Sequence, residues 1–329
     1  MAGQRSSDVQ GWGHVFGDDY PRFMEVSDLT PTPDADGGDE RRRNRSAVEQ
    51  LNRMNERYEA LFGSNRDIFD GARVLDLASH DGRFSFAALR AGAAHVTGVE
   101  VRESLIDKAQ ETFAFYGQDP DTYRFVCGDV FEVLAREKFD VDVVLCLGYL
   151  YHTYRHTELM YRLHELAPKH LIVDTMVVPG TKPILKMHPE RDAGDIRSAA
   201  QDAFSVGRVL VAWPSVPALQ MLLSAYGFEI ESMYDWKTRL AERPPMPGLE
   251  GYARGRRVTV RCRSRAAAVA GGWEPVGPLP VAAGPPGRRG RKRTPTSPPA
   301  QPAGGWRERV NKTLAKVTGY ELRRASTKR

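Results

Sequence analysis

Long apolar runs, paired cysteines and phosphate-gripping glycine loops are all missing from this 329-residue chain. No stretch of eighteen apolar residues occurs, which on sequence grounds excludes a membrane-spanning helix. The opening MAGQRSSDVQGWGHVFGDDY has no apolar segment of the kind a secretory signal carries, so a cytoplasmic location is expected. Cys127, Cys146 and Cys262 lie singly in apolar, strand-like runs without metal spacing. They read as buried, reduced thiols.

Negative charge is scarce at one end only. From Ala266 onward thirteen Lys and Arg face three acids, Glu274, Glu308 and Glu321, a net of +10; since the whole chain carries +5, residues 1–265 carry −5. A mildly acidic body is a poor surface for RNA. The basic end is a separate matter. Residues 266–305 are rich in Pro, Gly and Arg and read as a flexible linker. Residues 306–329 read as a short basic helix with Trp306, Val310, Leu314 and Val317 on one side. Such a helix could lie on an anionic membrane surface, bind nucleic acid, or only keep the chain soluble.

What is present is a regular alternation. Residues 1–45 are polar and read as a mobile arm. Ser46 and Glu49 then form an S-x-x-E capping box before Leu51, Met54, Tyr58 and Leu61 at helical spacing. From residue 72 the strand-like runs RVLDLA, HVTGVEV, YRFVCGDV, FDVDVVLCLG and HLIVDTMVV are separated by amphipathic helices. Near-continuous apolar strands of this kind suit a parallel sheet covered on both faces. An irregular insert at about 179–213 follows, and then a helix, VPALQMLLSAYG, and two further strands, FEIESMYDW and RRVTVRC. The expected fold is α/β: a doubly wound, mostly parallel, seven-stranded sheet with an antiparallel edge hairpin, over residues 46–265.

The first strand-to-helix turn, Asp76-Leu77-Ala78-Ser79-His80-Asp81-Gly82-Arg83, holds one glycine and no lysine. A pyrophosphate needs close backbone N–H groups, so NAD and ATP fit poorly. S-adenosylmethionine has no phosphate. It asks for a carboxylate near its ammonium group, which Asp76 can supply, and a second for the ribose hydroxyls, which suits Glu100 at the end of the next strand. Asp129, ending the third strand, can accept from the adenine amino group. Singly, each has a plainer reading: Asp76 as a helix cap, Asp129 as a turn residue, His80 as a solvent-facing side chain. Three acids ending three successive strands make a stronger pattern.

On these residues the chain resembles the class I S-adenosylmethionine-dependent methyltransferases across roughly residues 46–263. Asp76 and Gly82 match the family's first motif, Glu100 its ribose acid and Asp129 its adenine acid. Ala78 and His80 stand where the family usually has glycines. The resemblance implies S-adenosylmethionine as cofactor, in contact with Asp76, Ala78, His80, Gly82, Glu100, Asp129, Val130 and Leu147. GYLYHT and WPSVPALQMLLSAYGF also resemble the tRNA wobble-uridine carboxymethyltransferases and their relatives. In that family the tyrosine matching Tyr151 lies in the ligand site. That family's larger N-terminal region has no counterpart in the roughly 70 residues before the first motif here, so ordinary methyl transfer is the expectation.

Methyl transfer to oxygen needs the nucleophile aligned and deprotonated. His152, at the end of the fourth strand, is the candidate base, because an imidazole titrates near neutral pH; alternatively it only starts the next helix. Asp174, ending the fifth strand, is a second candidate. The insert reads equally as a lid or a solvated loop. The closing KVTGYELRRA resembles short tails of actinobacterial envelope-glycan enzymes, which favours a small-molecule or glycan hydroxyl as acceptor. A tRNA-modifying enzyme and a catalytically degenerate binding module are the rival readings.

Overall fold

The computed structural model describes residues 16, 19–24, 40–191, 199–200, 206–241, 246 and 248–265; for Met24 and residues 40–50 it describes the backbone alone. Contacts divide the chain into two units, Met1–Glu274 and Pro275–Arg329. The expected linker and basic helix lie outside the described residues.

The alternation read from sequence becomes a seven-stranded sheet. In chain order the elements are helix α1 (Glu40–Leu61), β1 (Arg73–Leu77), α2 (Arg83–Arg90), β2 (His95–Glu100), α3 (Glu103–Phe115), β3 (Tyr123–Cys127), α4 (Val130–Arg136), β4 (Val143–Leu147), α5 (His156–Glu165) and β5 (His170–Met176). There follow β6 (Leu185–Arg191), β7 (Arg208–Pro214), α6 (Val216–Ala225), β8 (Phe228–Met233), the short helices α7 (Trp236–Ala241) and α8 (Glu250–Ala253), and β9 (Arg257–Ser264). The sheet order is β3-β2-β1-β4-β5-β9-β8. The first five strands pair in parallel, and β9 runs antiparallel to both β5 and β8. The edge pair is joined through α7 and α8 instead of a tight turn.

Successive strand residues face opposite sides of a sheet, and each side here is apolar. Val74, Val143 and Leu145 face a core with Tyr58 of α1, Phe86 of α2 and Phe113 of α3. Leu75, Val144 and Cys146 face a second core with α4, α5 and α6. This is why the inner strands read as unbroken apolar runs.

Four sequence expectations change in detail. Phe16 and Phe23, within the stretch read as a mobile arm, are each only 1% exposed and pack on the first core; their aromatic area outweighs the polar composition around them. Helix α1 starts at Glu40, ahead of Ser46, so Ser46 is not its cap. Much of the described part of the insert is regular: β6 and β7 form an antiparallel sheet of their own, with Leu185 opposite Pro214 and Arg191 opposite Arg208. Cys146 and Cys262 are buried as expected, but Cys127 is exposed, because β3 is an edge strand and Cys127 is its last residue. Among the described residues no helix is long and apolar enough to cross a membrane.

Candidate active site

The carboxyl ends of parallel strands open a crevice where strand order reverses. Here that point lies between β1 and β4, and a cavity of about 270 Å³ occupies it. Asp76, Ala78, His80, Glu100, Asp129 and Val130 line one side. Leu147, Tyr151 and His152 line the other. Two expected site residues do not reach it, Gly82 and Asp174.

The glycine-poor turn solves its problem by strain. Ala78 and His80 adopt the left-handed backbone usual for glycine, with φ of 53° and 55°. Each such residue costs an L-amino acid about 1–2 kcal/mol. The turn is pinned to β2 by the Ser79 N–H donating to the Val99 carbonyl (2.9 Å) and by the His80 N–H donating to Glu100 Oε2 (3.0 Å). Gly82 has φ of 72°, and a Cβ there would lie 2.9 Å from the Phe125 ring and 3.0 Å from the Ala109 methyl. The absence of a Cβ lets the turn pack closely against α3 and β3.

The three strand-end acids differ in state. Asp76 is 2% exposed and accepts a hydrogen bond from Ser85 Oγ (2.7 Å). Burial pushes its carboxyl up to about 7, with the nearby Glu100 charge adding to the rise and the Ser85 bond opposing it. Glu100 is fixed by the His80 N–H on one oxygen and the Arg102 N–H on the other (3.0 Å). Asp129 is both a helix cap and a cavity residue. Its Oδ1 caps α4 by accepting from the Phe131 and Glu132 N–H groups (2.9 and 3.2 Å), and it lines the cavity. Its other oxygen takes no part in the cap.

Asp174 is a correction. The carboxylate is fully buried and accepts from Arg257 Nε (2.7 Å), Arg57 Nη2 (3.1 Å), Thr259 Oγ1 (2.7 Å) and Tyr252 Oη (2.9 Å). Burial raises its pKa, but the Arg257 and Arg57 guanidiniums outweigh that and hold it below the usual carboxylate range. A carboxylate so engaged is an anchor and a poor base.

His152, the candidate base, lies in a short turn over 150–152 and lines the cavity. Its Nδ1 lies 2.9 Å from Glu190 Oε2. Glu190 belongs to β6, also accepts from the Ala199 N–H (3.0 Å), and is held below its ordinary pKa, His152 outweighing the effect of burial. A carboxylate at Nδ1 fixes the ring and leaves Nε2 to accept a proton. Sequence reading missed Glu190, since its only signal was an acid within a basic insert. The insert is also tied to the His152 turn by the Ala212 N–H donating to the Thr153 carbonyl (3.1 Å). Ala199, Ala200, Val209 and Leu210 line the cavity, so the insert forms part of its wall.

Residues 74–167 match the family described as a methyltransferase domain. The ribosomal RNA large subunit methyltransferase I of Pseudoalteromonas translucida is 39% identical over 67 residues, covering 20% of this chain and 17% of that protein. Its counterpart in a Klebsiella pneumoniae strain is 36% identical over 77 residues, 22% of this chain and 19% of that one. The chain thus spans about a fifth of the length of the curated relatives it matches. Among solved structures, an S-adenosylmethionine-dependent methyltransferase from Mesorhizobium loti is 16% identical, with 62% of this chain and 97% of that chain covered and a TM-score of 0.45. The magnesium protoporphyrin IX methyltransferase of Synechocystis is 15% identical, with 77% and 94% covered and a TM-score of 0.45. The sheet order, the acids at three strand ends and the family match lead to one conclusion: this chain carries a class I S-adenosylmethionine-dependent methyltransferase domain.

Proposed function

We propose that the protein transfers a methyl group from S-adenosylmethionine to a hydroxyl of a small molecule or glycan. The observation that carries this reading is His152, which lines the cavity at the carboxyl end of β4, with its Nδ1 2.9 Å from Glu190 Oε2. The donor set fits the cofactor. Asp76 offers its carboxylate to the ammonium group, Glu100 its fixed oxygens to the ribose hydroxyls, and Asp129 Oδ2 its lone pairs to the adenine amine, while Val130 and Leu147 supply apolar wall. When bound, the cofactor supplies an activated methyl on a sulfonium. The chain's part is alignment and proton removal: His152 Nε2 takes the hydroxyl proton, and Glu190 stabilises the resulting imidazolium.

The names of the curated relatives point to ribosomal RNA, but their likeness is confined to 67–82 residues. The acidic body, −5 over residues 1–265, favours a small acceptor. The test begins with calorimetric titration by S-adenosylmethionine, S-adenosylhomocysteine and carboxy-S-adenosylmethionine. Micromolar affinity for the first two is expected. Methyl-labelled cofactor is then offered with hydroxylated small molecules, glycans and RNA. Label in RNA, or a strong preference for the carboxylated cofactor, overturns the reading. With an acceptor in hand, His152→Ala should lower turnover by about 10²–10⁴-fold with cofactor affinity nearly intact.

A further inference from the structure

The ribbon of β6 and β7 is patterned the wrong way round for a surface sheet. Strand pairing puts Leu185, Met187 and Pro189 of β6 on one face, with Pro214, Ala212 and Leu210 of β7 opposite them. The other face carries Lys186, His188 and Glu190, opposite Trp213, Val211 and Val209. This second face meets the body: Val209 and Val211 pack with Ala199, and Glu190 reaches His152. The first face meets water, where a sheet ordinarily carries polar side chains. Here Leu185, Met187 and Leu210 are 43%, 54% and 39% exposed, and Pro189 is exposed beside them. His188 and Glu190, the residues suited to water, are half-buried instead.

The apolar face runs into the cavity. Leu210 belongs to both, and Tyr154, also exposed, stands with it in the cavity lining. The candidate base lies at the same level of the ribbon, because its partner Glu190 follows Pro189, which is paired with Leu210. From Pro189 back to Leu185 the strip runs for about 13 Å, at about 3.3 Å per residue. Its width is that of two strands, about 4.8 Å apart. Leu185, Met187, Pro189 and Leu210 fall well short of the roughly 800 Å² that each partner buries in a stable dimer. A strip of this length and width fits one extended apolar chain.

We propose that the methyl acceptor is an amphiphile, whose hydroxyl-bearing head enters the cavity at His152 and whose alkyl chain lies along Leu210, Pro189, Met187 and Leu185. This rests on the methyl-transfer reading and narrows its substrate class. Seating the chain removes apolar surface of both molecules from water. It also holds the head beside the base without any polar contact to the chain.

The test is calorimetric titration of the full chain, in the presence of S-adenosylhomocysteine, with n-alkyl glucosides from hexyl to dodecyl below their micelle-forming concentrations. Affinity should rise about two- to fourfold with each added methylene and level off once the chain outruns the strip. Leu185→Thr combined with Met187→Thr keeps strand-forming residues on an exposed face. The unfolding midpoint should therefore hold while the rise with chain length is lost, and Met187→Leu should retain the rise. A photoreactive diazirine on the sugar should mark the segment holding Tyr154, and one at the chain end should mark β6. Affinity that ignores chain length, a rise unchanged in the double variant, or the reverse order of labels would overturn the proposal. So would a dimer that the double variant splits, which makes the face a contact between copies. Retention of the chain by phosphatidylcholine vesicles, lost in the double variant, would make it a membrane face and overturn the proposal too. Should S-adenosylhomocysteine fail to bind while the rise and its loss in the double variant persist, the methyl-transfer reading falls and the alkyl-chain site stands.

Discussion

At the scale of single residues the chemistry turns on groups held away from their ordinary states. The Asp76 carboxyl, pushed up to about 7 by burial, is partly protonated at neutral pH in the free protein. An ammonium group beside it favours the ionised form, so binding releases a proton when the pH lies below 7. Affinity for S-adenosylhomocysteine should then fall by up to about tenfold per pH unit below that value and level off above it. Calorimetry between pH 5.5 and 8.5 reads this directly, and Asp76→Asn should flatten the profile. Ala78 and His80 make a different point. Their left-handed backbones are relieved by glycine, which also loosens the unfolded chain. Ala78→Gly should therefore raise stability, by up to about 1 kcal/mol in denaturant unfolding. Gly82→Ala should lower it by about 2 kcal/mol, since its Cβ would press on Phe125 and Ala109.

At the scale of elements, two strands outside the first five decide what the site can do. Strand β6 brings Glu190 to His152, and β9 brings Arg257 to Asp174. These acids look alike in sequence and should respond differently to loss of charge. Glu190→Gln should lower turnover by about tenfold and shift its pH profile while cofactor affinity and stability hold, because the ring loses only its orienting partner. Asp174→Asn should cost about 3–5 kcal/mol of stability by stranding the Arg57 and Arg257 guanidiniums. Unfolding midpoints measured beside turnover separate the two roles. Element by element, the parallel strands were legible because each is an apolar run of fixed length between helices. The β6–β7 sheet was not. Its strands, LKMHPER and RVLVAWP, mix charge, proline and apolar residues, and among the described residues pair only with each other.

At the scale of the whole molecule, every residue lining the cavity falls between 53 and 257, and the basic excess falls after residue 265. A chain truncated after Arg265 should therefore bind S-adenosylhomocysteine with unchanged affinity. A loss beyond about threefold would tie the basic end to the site. If the tail serves an anionic surface, vesicles containing anionic lipid should retain the full chain and release it as salt rises, with the truncated chain unbound.

Sequence alone determined the sheet, the order of its strand-forming runs and the three acids at their ends. Hydrophobic period and turn chemistry are local properties, written within a few residues of where they act. The partnerships were decided only by the tertiary structure. Asp174 meets Arg57 across 117 positions and Arg257 across 83, and His152 meets Glu190 across 38. An ion pair between distant residues leaves no periodic trace. Whether an acid at a strand end becomes a ligand, a cap or an anchor depends on which charges the fold brings to it. Thus Asp129 could be read in place but not in full, and Asp174, read by its position as a second candidate base after His152, became the counterion of two arginines.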